Sequence, residues 1–219
     1  MRNLFLFLFL FVFAFGISAQ VNWKLVGTAG YTADLACTNG KLYGANEKDN
    51  VLYVAQIKGK SEIVWQALIK AFDVAELAAE GDFLYAANKK DGNLYVLDLS
   101  AAKLEWKLLG TAGECVGLAA INGNIYGVNG KDNKMYVTSA TKIEWKVFGP
   151  AGDCIALDAG NGKLYAVNGK EGQLYSSPID KISWKLEGKA GSSAGIAFLD
   201  GKIYGANSED GKLYVTQAP

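Results

Sequence analysis

The sequence predicts an all-β fold, a five-bladed β-propeller with four antiparallel strands in each blade. Three observations lead to this prediction: a five-fold internal repeat, strand and hairpin chemistry inside each repeat, and complementary chain ends. The segment NGKLYGANEKDNVLYV at 39–54 returns almost unchanged as DGKIYGANSEDGKLYV at 200–215. The five copies occupy residues 39–54, 80–96, 122–137, 161–176 and 200–215.

Aromatic and polar positions recur at fixed spacing in every copy. Two tyrosines stand ten residues apart, and an asparagine follows the first tyrosine by three. One tryptophan precedes each next copy, at intervals that run from 42 down to 39 residues. The tryptophans are Trp23, Trp65, Trp106, Trp145 and Trp184. Helical repeats also use a period near 40, so the local pattern has to decide between the two classes.

The local pattern is that of strands and hairpins. Segments such as KLYGAN, KLYV and IEWKVFG are short and rich in aromatic or β-branched residues, and Asn-Gly or Asp-Gly turns bound them. Each repeat offers an inner strand such as TADLAC, then KLYGAN, then VLYVAQ, then a strand that carries the tryptophan. Four strands in about 40 residues are typical of a propeller blade.

The chain ends predict how the ring closes. The part that follows the leader opens with a tryptophan strand, VNWKLVG, and the last repeat ends at LYVTQAP without one. We therefore expect the Trp23 strand to complete the last blade, which removes the exposed sheet edges that invite aggregation. Residues 20–219 are predicted to form this single domain.

The first residues have the layout of a secretory signal peptide. Arg2 is followed by an apolar run from Leu4 to Phe15 and then by the small residues Gly16, Ser18 and Ala19. The run is shorter than the roughly 20 apolar residues that a membrane span requires. We predict a signal peptide over residues 1–19, a secreted, extracellular protein, and no integral membrane segment.

Composition excludes several functions. Lys and Arg number 22 against 22 Asp and Glu, which disfavours nucleic acid as a partner because that affinity needs clustered basic residues. There is no histidine, which excludes Ser-His-Asp and Cys-His catalysis and every His-ligated metal site. No cofactor or metal is expected.

Three cysteines leave at least one thiol without an internal partner. Cys115 and Cys154 start successive inner strands and are candidates for a disulfide, whereas Cys37 lies later in its strand. The remaining thiol is either buried, reactive or joined to a protein partner.

Strand direction alternates within a blade, so the loops sort onto two faces. One face carries the Asn-Gly hairpins. The other carries the hairpin tips, such as NEKDN and NGKDN, and a glycine-rich blade-to-blade turn that reads GTAG, GPAG or GKAG. Amides, carboxylates and backbone N–H groups meet on this second rim, which suits sugar hydroxyls. The candidate ligand-binding residues are Asn46, Asp49, Asn129, Asp132, Asn168, Glu171, Asn207, Asp210, Gly30, Gly113, Gly152 and Gly191.

Two alternatives stay open for these positions. Asn and Asp before Gly are favoured turn residues in any protein, so each can serve the turn alone. The tyrosines and tryptophans are expected to pack between blades. In the second repeat the turn reads IKAF, so Ile69 and Phe72 replace both glycines. The site beside Asn88 and Asp91 is therefore expected to be blocked.

The repeats resemble those of tectonin and tachylectin-type lectins over essentially the whole chain after the leader. The shared features, in order along the chain, are a tryptophan, a glycine-rich turn, and the segments NGKLYGxN, xxDG and LYV. The resemblance implies a five-bladed propeller that binds glycans, N-acetylated sugars among them, at sites between blades. A second segment, GNLYVLDLSAAKLEW at 92–106, resembles the repeat of quinoprotein-type propellers.

Carbohydrate binding is the first functional hypothesis, and a structural or protein-binding propeller is the alternative. Five similar rim sites suit a polymer or a glycan-coated surface, where weak sites combine through effective concentration. We do not expect an enzyme. The remaining catalytic option is a carboxylate pair among Asp34, Glu76 and Asp158 on the inner strands, which we expect to be solvated at the channel mouth or paired with a lysine.

Overall fold

A computed structural model describes residues 21–57 and 63–219, which form five antiparallel sheets of four strands each. The five sheets are the blades of the predicted propeller. The predicted signal peptide lies outside the described residues. Over the described ranges, no helix is long and apolar enough to cross a membrane.

Every blade contains the four predicted strands in the predicted order, from the inner strand to the outer tryptophan strand. Blade 1 contains β2 (Thr32–Thr38), β3 (Lys41–Asn46), β4 (Val51–Gln56) and β5 (Trp65–Lys70). Blade 2 contains β6 (Val74–Glu80), β7 (Phe83–Asn88), β8 (Asn93–Asp98) and β9 (Trp106–Thr111). Blade 3 contains β10 (Cys115–Ile121), β11 (Asn124–Asn129), β12 (Lys134–Ser139) and β13 (Lys142–Pro150).

Blade 4 contains β14 (Cys154–Gly160), β15 (Lys163–Asn168), β16 (Gln173–Pro178) and β17 (Lys185–Lys189). Blade 5 takes three strands from the end of the chain, β18 (Ser193–Leu199), β19 (Lys202–Asn207) and β20 (Lys212–Gln217). Its fourth strand is β1 (Lys24–Thr28), which pairs antiparallel with β20 in a register that sets Lys24 opposite Val215. The predicted ring closure is confirmed.

The hairpins between the first and second strands explain the repeated Asn-Gly pairs. In four blades, two consecutive turn residues have positive φ, with values of 48° to 55° at the first residue and 70° to 74° at the glycine. A two-residue turn of this type matches the twist of the flanking strands, and Asn, Asp and Gly tolerate its backbone. The four pairs are Asn39-Gly40, Asn122-Gly123, Asn161-Gly162 and Asp200-Gly201.

The hydrophobic core consists of clusters between neighbouring blades. Between blades 1 and 2, for example, Tyr43 and Leu52 pack with Leu77 and Leu84. The first tyrosine of every repeat is buried in such a cluster, as expected for packing between blades. These tyrosines are Tyr43, Tyr85, Tyr126, Tyr165 and Tyr204.

All three cysteines are buried as free thiols, so the Cys115–Cys154 disulfide considered from the sequence is not present. Burial raises the pKa of Cys37, Cys115 and Cys154, which keeps the thiols protonated and unreactive. No cysteine offers an exposed thiol for a bond to a protein partner.

We expect the unreduced protein to show three free thiols by mass spectrometry. A thiol-alkylating reagent should modify them slowly in the folded protein and rapidly in denaturant, because modification requires an exposed thiolate. A mass two hydrogens lower than that of the reduced protein would contradict this expectation.

Candidate functional site

The hairpin tips use most of their polar groups to hold their own shape. In blade 3, Asn129 Oδ1 accepts a hydrogen bond from the backbone N–H of Lys131 at 2.8 Å, and Asp132 Oδ1 accepts one from Lys134 at 3.1 Å. The Tyr136 hydroxyl donates to Asp132 Oδ2 at 2.6 Å. The same tyrosine–carboxylate contact occurs in blades 1, 2 and 5, at 2.7 to 3.0 Å.

The tip carboxylates therefore accept a hydrogen bond from the second tyrosine of each repeat. Tyr136 lowers the pKa of Asp132 by its hydrogen bond, and the carboxylate in turn raises the pKa of Tyr136. In blade 4 the tyrosine chiefly contacts another side chain, because Tyr175 donates to Gln173 Oε1 at 2.7 Å and to Glu171 at 3.4 Å. The predicted acids Asp49, Asp132, Glu171 and Asp210 thus orient tyrosines.

The glycine-rich turn is bonded to the tip of its own blade. The N–H groups of Ala112 and Gly113 both donate to the carbonyl of Gly92, at 2.8 and 2.9 Å. The alanine at this position in each of the other four turns donates in the same way to its own tip. The N–H groups of these alanines and of Gly30, Gly113 and Gly191 thus already donate to a tip carbonyl, and the role of the glycines in ligand binding stays a prediction.

A pocket of about 300 Å³ lies between blades 2 and 3. Gly113 of the preceding blade forms one side, and Asn129, Tyr136 and Trp145 form the other. The Trp145 indole N–H donates across the interface to the carbonyl of Thr111 at 2.6 Å, which fixes the ring.

An equivalent pocket of about 180 Å³ lies between blades 4 and 5. The corresponding residues Gly191, Asn207, Tyr214 and Trp23 line it, and Trp23 donates to the carbonyl of Lys189 at 2.8 Å. The same indole contact crosses the other two glycine-turn interfaces, from Trp65 at 2.7 Å and from Trp184 at 2.9 Å. We call the space between tryptophan, second tyrosine, asparagine and glycine turn the inter-blade pocket.

The asparagine amide supplies a donor to each open inter-blade pocket. Asn129 Oδ1 is bonded to the tip, which leaves Nδ2 to donate, with no acceptor among the described residues. This nitrogen lies 3.8 Å from the position that a Cβ would take on Gly113, and Asn207 Nδ2 lies 3.9 Å from the same position on Gly191. Both glycines have positive φ, and their missing side chains keep the space in front of the amide clear.

The interface between blades 1 and 2 differs from the others, as the sequence predicts. The Phe72 ring contacts both rings that would line this pocket, with centroid distances of 4.5 Å to Tyr95 and 5.4 Å to Trp106. Asn88 is buried, with 8 % of its surface exposed, whereas the other four asparagines are half-buried. The Trp106 indole N–H is buried and has no hydrogen-bond partner among the residues that the structure describes. A phenylalanine thus occupies the space that the glycine leaves open elsewhere.

The sequence did not indicate that the tryptophans and second tyrosines line the pockets. One feature of the sequence could have indicated the position of the tryptophans, because the outer tryptophan packs over a small residue of the second strand. In blade 3 the Trp145 ring lies 3.2 Å from the position of a Cβ on Gly127. The third residue of each LYGxN-type segment is glycine or alanine in all five blades, which leaves room for the ring.

The inner strands hold a second polar cluster at the centre of the ring. Asp34, Glu76 and Asp158 are buried, with 0 %, 7 % and 6 % of their surfaces exposed, and none forms an ion pair with a described lysine. The expectation that they are solvated or paired with lysine is therefore wrong. Backbone N–H groups of the next blade satisfy two of them: Leu77 donates to Asp34 at 2.7 Å, and Phe198 donates to Asp158.

No protein-family model matches the chain, and no curated protein matches it. Among solved structures, it is similar to the glutaminyl cyclase of Myxococcus xanthus, with a TM-score of 0.68, 15% identity, and coverage of 90% of this chain and 94% of that one. It is also similar to a nidogen/laminin complex, with a TM-score of 0.62, 11% identity, and coverage of 87% and 81%. A luciferin-regenerating enzyme gives a TM-score of 0.60 at 9% identity, with coverage of 90% and 95%.

The likeness shows a propeller fold. At these identities it carries no function, because one fold hosts many unrelated activities. The neighbours include enzymes, so the fold itself is compatible with catalysis.

Proposed function

We propose that this protein is a carbohydrate-binding propeller with up to four weak, similar sites in its inter-blade pockets. The proposal extends to secretion of the protein and to multivalent binding of glycan-coated surfaces or polymers. N-acetylated sugars are the first ligands to test, in line with the resemblance to tachylectin-type repeats.

The observation that carries the proposal is the repeated composition of the inter-blade pocket. Tryptophan and tyrosine rings offer apolar faces of the kind that pack against sugar C–H groups, and the asparagine Nδ2 offers a donor to a hydroxyl or acetamido oxygen. The tyrosine hydroxyl donates to the tip acid and so keeps its lone pairs for a ligand hydroxyl. Such a small set of contacts supports a weak single site and gains affinity by repetition.

The alternative is a structural or protein-binding propeller without sugar specificity. A chain of similar fold occurs in a nidogen/laminin complex, so propellers of this shape do serve protein assemblies. A protein partner would use one asymmetric patch, and variants of single inter-blade pockets would then have very unequal effects.

The number of sites tests the proposal. Asn129→Ala with Asp132→Ala removes the amide donor and releases Tyr136, so it should abolish one site and lower binding to a multivalent glycan. Each single site is expected to bind in the millimolar to high-micromolar range, as is usual for a small ligand with few contacts. A glycan array first identifies the ligand, and titration calorimetry then counts the sites.

The matched control is Asn88→Ala with Asp91→Ala in the second repeat. It should change binding little, because Phe72 already fills that pocket. Conversely, Phe72→Gly should open a fifth pocket and raise the number of sites. Five equal sites in the unchanged protein, or no binding from a broad panel of sugars, would refute the proposal and favour the protein-binding alternative.

A further inference from the structure

A central cavity of about 930 Å³ opens on the same face as the hairpin tips. It differs from the inter-blade pockets in its position, because the first residues of the inner strands form its wall. A ring of tip residues, among them Glu47, Lys89 and Lys131, surrounds its mouth. This volume is in the range of pockets that hold small organic molecules.

A bulge in every inner strand builds the wall of the central cavity. The pairing of first and second strands shifts at the second residue of the inner strand in all five blades. A bulge of this kind re-aims a side chain and is frequent next to ligand sites. The residues at this position all line the cavity, and all are apolar. They are Ala33, Ala75, Val116, Ile155 and Ala194.

Glu76 lies one residue deeper than this apolar ring and also lines the cavity. Only 7 % of its surface is exposed, and its Oε2 is buried and receives no hydrogen bond from a nitrogen or hydroxyl group of the described residues. Asp34 contacts it from the neighbouring inner strand β2, and the two carboxyl groups are hydrogen-bonded to each other, which requires that the pair hold a proton. Two carboxyl groups this close share one proton and leave one negative charge. Buried charges are normally paired, yet no described lysine pairs with this one.

The charge around these carboxyls is one-sided. The inner strands, all of which the structure describes, contain the acids Asp34, Glu76, Glu80 and Asp158 and no lysine or arginine. At the mouth, by contrast, charges balance, and Lys131 pairs with Glu114 at 2.6 Å. Burial, followed by the charge of Asp34 and the hydrogen bond with it, raises the pKa of Glu76.

The shape around Asp34 indicates that the pair is built into the fold. Its Oδ1 occupies the space where Gly195 of the neighbouring blade would carry a Cβ. Any larger residue at Gly195 would collide with the carboxyl or with the Asp34 backbone. The neighbouring blade thus keeps the acid pair in place.

We propose that the central cavity is a second ligand site, which holds a small organic amine with its ammonium group at Glu76 and its apolar part against the ring of Val116 and Ile155. The ammonium group supplies the positive charge that the acid pair lacks, and a charge-assisted hydrogen bond to a carboxylate is stronger than a neutral one. The central cavity shares Gly113 and Asn129 with the inter-blade pocket between blades 2 and 3. Glu76 lines neither of the two described inter-blade pockets, so substitutions at Glu76 distinguish the amine site from the sugar sites.

Three probes that share one apolar body test the proposal: phenethylamine, 2-phenylethanol and phenylacetate. Titration calorimetry on the protein without residues 1–19 is expected to show one saturable site for phenethylamine. Its affinity should exceed that of both other probes by about tenfold or more, because only the amine carries an ammonium donor. Equal affinities for the three probes, or no saturable binding of the amine, would overturn the proposal.

Two variants assign the site. Glu76→Gln should weaken phenethylamine by about tenfold and leave 2-phenylethanol unchanged, whereas Glu144→Gln on the outer strand β13 is the matched control and should change neither. Ile155→Trp should weaken all three probes, because Ile155 lines the cavity, is 41 % exposed, and would be replaced by a bulkier side chain that narrows the cavity. If Glu76→Gln does not fold, two measurements still test the proposal: the comparison of the three probes on the unchanged protein, and the binding of the probes to the Ile155→Trp variant. Amine binding that survives both substitutions would place the site elsewhere.

Discussion

Deleting residues 20–27 is expected to lower the free energy of unfolding by several kcal/mol and to cause aggregation. The deletion removes most of β1, the outer strand of blade 5, and exposes the edge of β20, which can then pair with another chain. It also removes Trp23, which packs against Gly205 and donates to the Lys189 carbonyl. Loss of a packed tryptophan commonly costs about 3 to 5 kcal/mol. Size-exclusion chromatography and thermal denaturation measure both effects.

A circular permutant provides the control for this deletion. Moving residues 20–30 behind Pro219, through a copy of the linker 179–184, would give blade 5 the same strand order along the chain as the other blades. We expect this protein to be monomeric and to regain most of the lost stability, because the same β1–β20 pairing can form. A deletion variant that stays monomeric with an unchanged melting temperature would mean that β1 does not close the ring.

The free energy of unfolding is expected to fall as the pH rises from about 4 to about 7. Burial raises the pKa of Asp158 from 3.8 to about 7, despite the opposing hydrogen bond from Phe198. In this window the unfolded chain has lost the proton that the folded protein retains, so rising pH favours unfolding. A tenfold change in proton affinity corresponds to about 1.4 kcal/mol, which gives about 4 kcal/mol for Asp158.

Other carboxyl groups determine the shape of the pH profile. Burial also raises the pKa of Asp34 and of Glu76, so this pair lowers the stability further as the pH rises above their ordinary values. The exposed tip acids act in the opposite direction, since hydrogen bonds lower the pKa of Asp132 and Asp210. Their contribution is present above the ordinary pKa of 3.8 and is lost as the pH falls below it. The free energy of unfolding should therefore be greatest at about pH 4 to 5.

Urea denaturation at several pH values between about 4 and 8 measures this profile. Asp158→Asn should remove a large part of the slope, because the amide does not titrate and its carbonyl can still accept from Phe198. Asp180→Asn, at an exposed position of the same blade, is the matched control and should leave the slope intact. A stability that is constant or rises over this window would contradict the buried, protonated state of Asp158.

The candidate site could be predicted only in part. The sequence indicated the rim, the asparagines and the blocked second repeat, since these depend on residues that recur at a fixed period and on one exception to it. It did not indicate that Asp132 holds Tyr136 or that Trp145 crosses to the Thr111 carbonyl. These contacts depend on side-chain directions and on the distance between two blades, which no local pattern encodes.

By itself, the sequence determined the number of blades, the strands of each blade and the closing strand. Turn residues, alternating apolar positions and the period of about 40 residues act locally, and five repetitions make each of them unambiguous. Only the tertiary structure decided that Asp34 and Glu76 contact each other and that Glu76 lines the central cavity. Those two residues are 42 positions apart in the sequence. Their proximity follows from the packing of neighbouring inner strands, from a bulge in each strand, and from the space that Gly195 leaves for the Asp34 carboxyl.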